Sequence, residues 1–210
     1  MATNLNTAYQ VRADQYNTSE LSELQAEQGV IIYDKDTNSF KGRDNTGFKS
    51  FATSADAGLG WADYNDTQYT SGSPLSLTAN TNTALLNNAG STIKTYLPEG
   101  VTDLYDVATQ KVLGREGDAY IITTEYKAVP TQAGTTYIET WFDIGGAVGE
   151  LYRQISSFPK GQGQVRNITT STLVYTLDTW EANGASLFIR SNRTANVYDI
   201  RYVIARVYMA

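Results

Sequence analysis

The sequence contains neither cysteine nor histidine. Without cysteine there are no disulfides, no thiol nucleophile and no thiolate metal site. Without histidine the usual general base near neutral pH is missing, and so is the usual nitrogen ligand of zinc or iron. Acid–base chemistry would have to rest on a tuned carboxylate, lysine or tyrosine. No metal and no cofactor are expected. Charge is also sparse, at 18% of residues, with a net charge of −6. That balance argues against a large nucleic-acid footprint. No apolar run approaches the ~18 residues of a membrane span, so no membrane insertion is expected. The opening Met1-Ala2-Thr3-Asn4 carries neither a basic region nor an apolar run. No secretory signal is therefore expected, and synthesis is expected in a cytoplasm. The Asn-x-Ser/Thr sequons at Asn17, Asn65, Asn167 and Asn192 are ascribed to chance in a chain rich in Asn and Thr.

What is present suits strands. Hydrophobic residues reach 41% and there are 15 tyrosines, enough apolar material for a core. Uncharged polar residues supply most of the remaining surface, and they favour turns and strands over helices. Residues 1–28 read as an N-terminal arm with one short helix over residues 19–28. Ser19 can cap that helix and Gly29 can end it. Leu5, Tyr9, Val11 and Tyr16 are spaced for neither helix nor strand, and Leu21 and Leu24 form too narrow a stripe for independent stability. These six residues are the candidates for anchoring the arm to a partner.

Residues 29–51 read as a three-stranded β meander with turns at Asp34–Asn38 and Asp44–Gly47. The Asp34-x-Asp36-x-Asn38 spacing imitates the start of a calcium loop. Ser39 and Asn45 then stand where an EF-hand needs Gly and Glu. Residues 52–63 have linker composition, with Trp61 placed to plug the start of the next domain.

Residues 64–210 carry period-two alternation broken by frequent turns, the pattern of an antiparallel sandwich or barrel. Tyr120, Ile122 and Tyr126 share one face, opposite Thr123, Glu125 and Lys127. Ile138, Phe142 and Ile144 alternate with Glu139, Trp141 and Asp143. Strands continue through 151–157, 164–177 and 184–191. The last, from Val197 to Tyr208, sets Tyr198, Ile200, Tyr202, Ile204 and Tyr208 opposite Val197, Val203, Ala205 and Val207. A half-solvated antiparallel strand has one polar face, so two apolar faces mean a central strand or a subunit interface. Val197, Val203 and Val207 are the interface candidates.

Glu139, Asp143 and Glu150, or Asp63 with Asp66, offer carboxylates that glycoside hydrolysis could recruit, but no spacing fixes a pair. The runs FPKGQG (158–163) and DIGGAVG (143–149) lack phosphate-loop spacing and a following helix, and they read as β connections. Arg190, Arg193, Arg201 and Arg206 alternate along strand faces beside Asp199, which suits cross-strand pairing. The chain is expected to be a non-enzyme.

The meander resembles one found in phage virion surface proteins. Gly29, Tyr33, Asp36, Asn38, Phe40, Gly47 and Phe48 stand at its key points, Phe48 where such proteins often have Trp. SPLSLTANTNTALLNN, LPEGVTDLYDVATQKVL, WFDIGG and FPKG look like phage structural jelly rolls of the tumour-necrosis-factor type. The resemblance implies an all-β chain: a C-terminal antiparallel β-sandwich or jelly roll, preceded by a small meander and an arm with one short helix. It implies a virion-surface protein made in the host cytoplasm, a homotrimeric capsid decoration or head fibre. The arm would hold the major capsid protein or another virion protein. The alternative is a receptor-binding tail-fibre tip recognising host surface glycans.

Overall fold

The computed structural model describes residues 14–21, 23–24, 27–50 and 58–210. The chain divides into two compact units, Met1–Thr53 and Ser54–Ala210.

The small unit holds β1 (Gln15–Tyr16), α1 (Thr18–Leu21), β2 (Ile31–Asp34), β3 (Ser39–Arg43) and β4 (Phe48–Ser50). The three meander strands form as the turn residues predict, and β1 joins them parallel to β2, giving the order β1-β2-β3-β4. The helix is a single turn, shorter than the 19–28 expected from the sequence. Among the described residues, Leu21 and Ile32 are the unit's buried apolar side chains, and Tyr33 meets its cross-strand partner Phe40 edge-on at 5.2 Å.

Asp34 is fully buried there. It accepts hydrogen bonds from Lys41 Nζ, from Thr18 Oγ1 at 2.9 Å and from the Asp36 amide at 3.0 Å. The Lys41 bond outweighs the desolvation, so the carboxyl is held well below its ordinary 3.8. The calcium-like spacing thus serves a turn whose acid is satisfied by the unit's own donors.

The large unit begins with β5 (Gly60–Asn65), which takes up the end of the stretch read as linker; residues 51–57 lie outside the described residues. Four short strands follow: β6 (Leu75–Leu77), β7 (Thr83–Ala84), β8 (Ser91–Ile93) and β9 (Tyr105–Asp106). Then come β10 (Lys111–Val112), β11 (Ala119–Pro130), β12 (Thr136–Asp143), β13 (Glu150–Phe158) and β14 (Arg166–Tyr175). The chain finishes with α2 (Asp178–Asn183), β15 (Ala185–Ser191) and β16 (Ala195–Tyr208).

Two antiparallel sheets result. One runs β13-β12-β15-β10-β9 with β7 also on β15; the other runs β14-β11-β16-β5-β8 with β6 also on β16. From β11 onward the chain changes sheets at every connection except the β12–β13 hairpin. That is jelly-roll topology. The chain is all-β, with an antiparallel sandwich and, among the described residues, two short helices. α2 was not expected, because six residues are too few to show a helical period. It docks through buried Trp180, whose indole N–H donates to the Val112 carbonyl at 3.2 Å.

Between the sheets the long strands alternate as predicted: Tyr120, Ile122, Thr124, Tyr126 and Ala128 of β11 are all buried. β16 departs from strict alternation. Glu125 pairs with Arg201 but Lys127 pairs with Tyr198, so Asp199 and Ile200 together oppose Tyr126. This is a β-bulge, with Asp199 at φ 53°. Ala195 and Val197 face the core on one side of it, and Ile200, Tyr202 and Ile204 face the core on the other. Val197 is therefore fully buried in the domain's own core, on the opposite face from Val203. Tyr198 turns outward.

Buried tyrosine hydroxyls keep partners. Tyr126 shares a 2.6 Å hydrogen bond with Thr140, Tyr105 donates to Gln110 at 2.7 Å, Tyr64 donates to Asp103 and Tyr202 to the Leu85 carbonyl. Burial raises the Tyr126 phenol to about 12 and pushes Tyr64, Tyr105 and Tyr202 up as well, so all four stay neutral.

Asp118, also fully buried, ties the chain's end to the sandwich. It meets Arg206 at 3.2 Å, Arg115 at 3.0 Å, the Ala210 amide at 3.1 Å and the Tyr120 hydroxyl at 3.1 Å. Burial pushes its pKa up, but the Ala210 N–H, Arg115 and Tyr120 outweigh that and hold it below 3.8. A depressed acid contributes stability above its unfolded value and loses it as pH falls through the folded one. Asp118→Ala strands Arg206 in the interior and should lower unfolding free energy by about 3 kcal/mol at neutral pH. In denaturant titrations, the gap between wild type and variant should narrow once pH falls below 3.8. A pH-independent gap would show that the charge is not what matters.

Candidate assembly face

The outer surface of the β11 sheet is where the strand registers bring uncovered apolar side chains together. In one cross-strand row Leu173 of β14 lies opposite Ile121, Ile121 opposite Ala205, and Ala205 opposite Trp61. Leu173 is 63% exposed and Ile121 39%. Trp61 extends the row by stacking on Tyr96 at 5.2 Å, so it faces outward instead of plugging the domain. The next row runs Ser171, Thr123, Val203, Asp63. Towards the strand ends Ala119 pairs with both Tyr175 and Tyr208, and Val207 sits at a second register shift there, exposed.

Beyond the Val203 row the face turns polar. Arg201 pairs with Asp63 at 2.8 Å and with Glu125 at 3.1 Å, and the Asp63 bond leads the causes that raise its already high pKa. Past the bulge, Lys127 pairs with Asp199 at 2.8 Å. Cross-strand ion pairing, the expected role for these arginines, holds for Arg201; Arg206 instead lies buried against Asp118.

Of the interface candidates, Val203 and Val207 lie on this outer surface, and the bulge carries Val197 to the core. Of the anchor candidates, Leu5, Tyr9 and Val11 lie outside the described residues. Tyr16 is a half-buried member of β1, Leu21 is buried within the small unit and Leu24 is half-buried. Leu173, Ile121 and Tyr175 were not singled out from the sequence. The signal was present, since β14 also carries apolar groups on both faces, Val174 inward between Leu173 and Tyr175.

The carboxylates considered for hydrolysis have other partners. Glu139 and Glu150 both pair with Arg153, and Asp63 with Arg201. Asp66 accepts from the Tyr69 amide at 2.6 Å and the Asn88 amide at 2.9 Å. Asp143 accepts from the Gly145 amide at 2.7 Å within a β connection. The face is equipped to hold a surface, through apolar rows beside charges of both signs.

No protein-family model matches the chain, and no curated protein does. Among solved structures, the Eiger TNF of S. frugiperda aligns at 9% identity and TM-score 0.43, over 72% of this chain and 94% of its own. The PRD1 vertex protein P5 aligns at 14% identity and TM-score 0.42, over 89% of this chain and 85% of its own. A chain of the T13 IBDV viral particle aligns at 10% identity and TM-score 0.33, over 78% of this chain and 34% of its own. At such identities and scores the likeness carries no information about activity or partner.

The bulge shapes this face, and its geometry can be tested. Asp199 holds a backbone conformation that L side chains rarely adopt. Asp199→Val should cost about 1–3 kcal/mol in urea unfolding, whereas Asp199→Gly should unfold close to wild type. Equal stability of the two variants would show that the bulge stores no strain.

Proposed function

We propose that this chain is a structural protein of a phage virion, a homotrimeric capsid decoration or head fibre whose N-terminal region attaches it to the particle. The observation that carries the reading is the apolar row Leu173–Ile121–Ala205–Trp61 on the β11 sheet, exposed at Leu173 and Ile121 and half-buried at Ala205 and Trp61. Contiguous exposed apolar surface of this kind marks an association site. A second copy is the occupant that suits it, because both charge signs border the row, Arg201 and Lys127 beside Glu125 and Asp199. A surface with both signs can meet another copy of itself without net like-charge repulsion. The phage-type residues of the meander, Gly29, Asp36, Asn38 and Gly47, support the virion setting.

The test is assembly state and its residue dependence. Sedimentation of the full chain at micromolar concentration should give a three-chain species. Ile121→Asp with Leu173→Asp should give monomer with an unchanged thermal transition, since both side chains point to solvent in the single chain. A wild-type chain that stays monomeric, or a double variant that still assembles, overturns the reading. Removing residues 1–28 should abolish attachment to particles and leave residues 64–210 assembled.

A further inference from the structure

We propose that the outer face of the other sheet, centred on β12 and β15, carries a binding site for a neutral pyranose ring. This inference does not rest on the assembly reading, because it concerns the opposite face of the sandwich.

Two cross-strand rows make the floor of the site. In one, Phe188 lies between Trp141 and Ala84; in the next, Ser186 lies between Asp143 and Lys111. Trp141 supports the Phe188 ring from one side, stacked at 5.9 Å and 17°. On the other side stands Ala84, whose single methyl group is too small to cover an aromatic face. The result is a half-buried ring that is backed by Trp141 and lines the cleft beside it. The Trp141 support is itself fixed, being 1% exposed with the Arg153 guanidinium 4.2 Å above its ring.

The walls are polar. A cleft of about 270 Å³ runs beside Phe188, between the Gly145–Gly146 connection and the end of α2 at Asn183–Gly184. Asp143 uses one oxygen to accept the Gly145 amide. Among the described residues its other oxygen, the Asn183 side-chain amide and the Ser186 hydroxyl have no hydrogen-bond partner. The site thus presents a carboxylate acceptor, an amide that both donates and accepts, and a hydroxyl, around one aromatic face. That combination matches a sugar ring, whose C–H face packs on an electron-rich aromatic surface while its hydroxyls need planar donors and acceptors at the rim.

Charge and size narrow the class. Lys111 and Asp143 flank Ser186 in one row, so the site carries one charge of each sign, and Lys111 already donates to the Asn183 carbonyl. With one charge of each sign at the site an anionic ligand gains no net attraction, and an apolar one would strand the polar rim. Pockets for drug-sized ligands start near ~300 Å³, so this cleft suits one ring.

Saturation-transfer NMR on the full chain, with millimolar methyl glucopyranoside, galactopyranoside, mannopyranoside and N-acetylglucosaminide as separate probes, tests the proposal. Saturation should reach the ring C–H protons of at least one probe. Phe188→Ala should abolish that signal, and Asn183→Ala, whose side chain is exposed, should weaken it at least tenfold while leaving the thermal transition unchanged. No transfer to any of the four from folded protein overturns the proposal, as does transfer that both variants retain at wild-type strength. Neither result bears on self-association, which the Ile121 and Leu173 variants read separately.

Discussion

The arrangement of this domain depends on one extra residue in its last strand. β16 is the shared partner of β11, β5 and β6, so its side-chain phase sets the phase of the whole sheet. Fourteen residues of strict alternation would put either Ala195 and Val197 or Ile200, Tyr202 and Ile204 outside. The bulge at Asp199 lets both sets point inward. It does so by holding Asp199 in a left-handed conformation, with Lys127 across from it as ion partner. Two consequences reach the surface. The polar end of the outer face gathers around the bulge, and the apolar end, with Val203 and Ala205 between Ile121 and Trp61, lies beyond it.

The core this strand closes over is aromatic and polar at once, which explains how poorly regular segments are ordered. Residues 66–118 contain strands of two or three residues only, too short to be stable as pairs. The tyrosines hold them. Tyr64 reaches Asp103 and Tyr202 reaches the Leu85 carbonyl, while Tyr105 packs between their rings at 5.5 and 5.3 Å. A Phe at any of these places would fill the same volume and lose that hydrogen bond to the loop. The tyrosines of the sequence serve core and surface alike: Tyr64, Tyr105 and Tyr202 anchor loops, whereas Tyr96, Tyr137, Tyr152, Tyr175 and Tyr208 are exposed.

The sequence makes some of this legible and hides the rest for identifiable reasons. β11 can be read directly because it alternates without interruption, and the meander because Asp34–Asn38 and Asp44–Gly47 have unambiguous turn chemistry. Val197 cannot be placed, since nothing in the string marks Asp199 as the residue that shifts the phase. α2 is invisible because its docking rests on Trp180 alone. The small unit gains β1 and Leu21 from a stretch that reads as arm, because what fixes them is distant: Thr18 bonds to Asp34, sixteen residues on. The candidate face was half legible. Val203 follows from the two-faced last strand, but Leu173 and Ile121 become neighbours only when β14 and β16 flank β11, and pairing order is not written in any one strand.

The two sheets treat the same kinds of residue in opposite ways, and this contrast is the strongest physical reason to assign them different tasks. On the β12 sheet, Trp141 and Phe188 face outward, yet Trp141 is sealed by Arg153, which Glu139 and Glu150 hold in place. The chain has spent three charged side chains on covering one indole and left the ring beside it open to a polar cleft. On the β11 sheet, Leu173, Ile121 and Trp61 lie in register, and the nearby charges pair among themselves, Arg201 with Asp63 and Glu125, without folding over the row. Tyr96 stacks on Trp61 at one end of the row, but Leu173 and Ile121 are left exposed, which favours their burial by another surface. The covered indole is what the proposed sugar site needs, and the exposed Leu173 and Ile121 are what the proposed assembly needs.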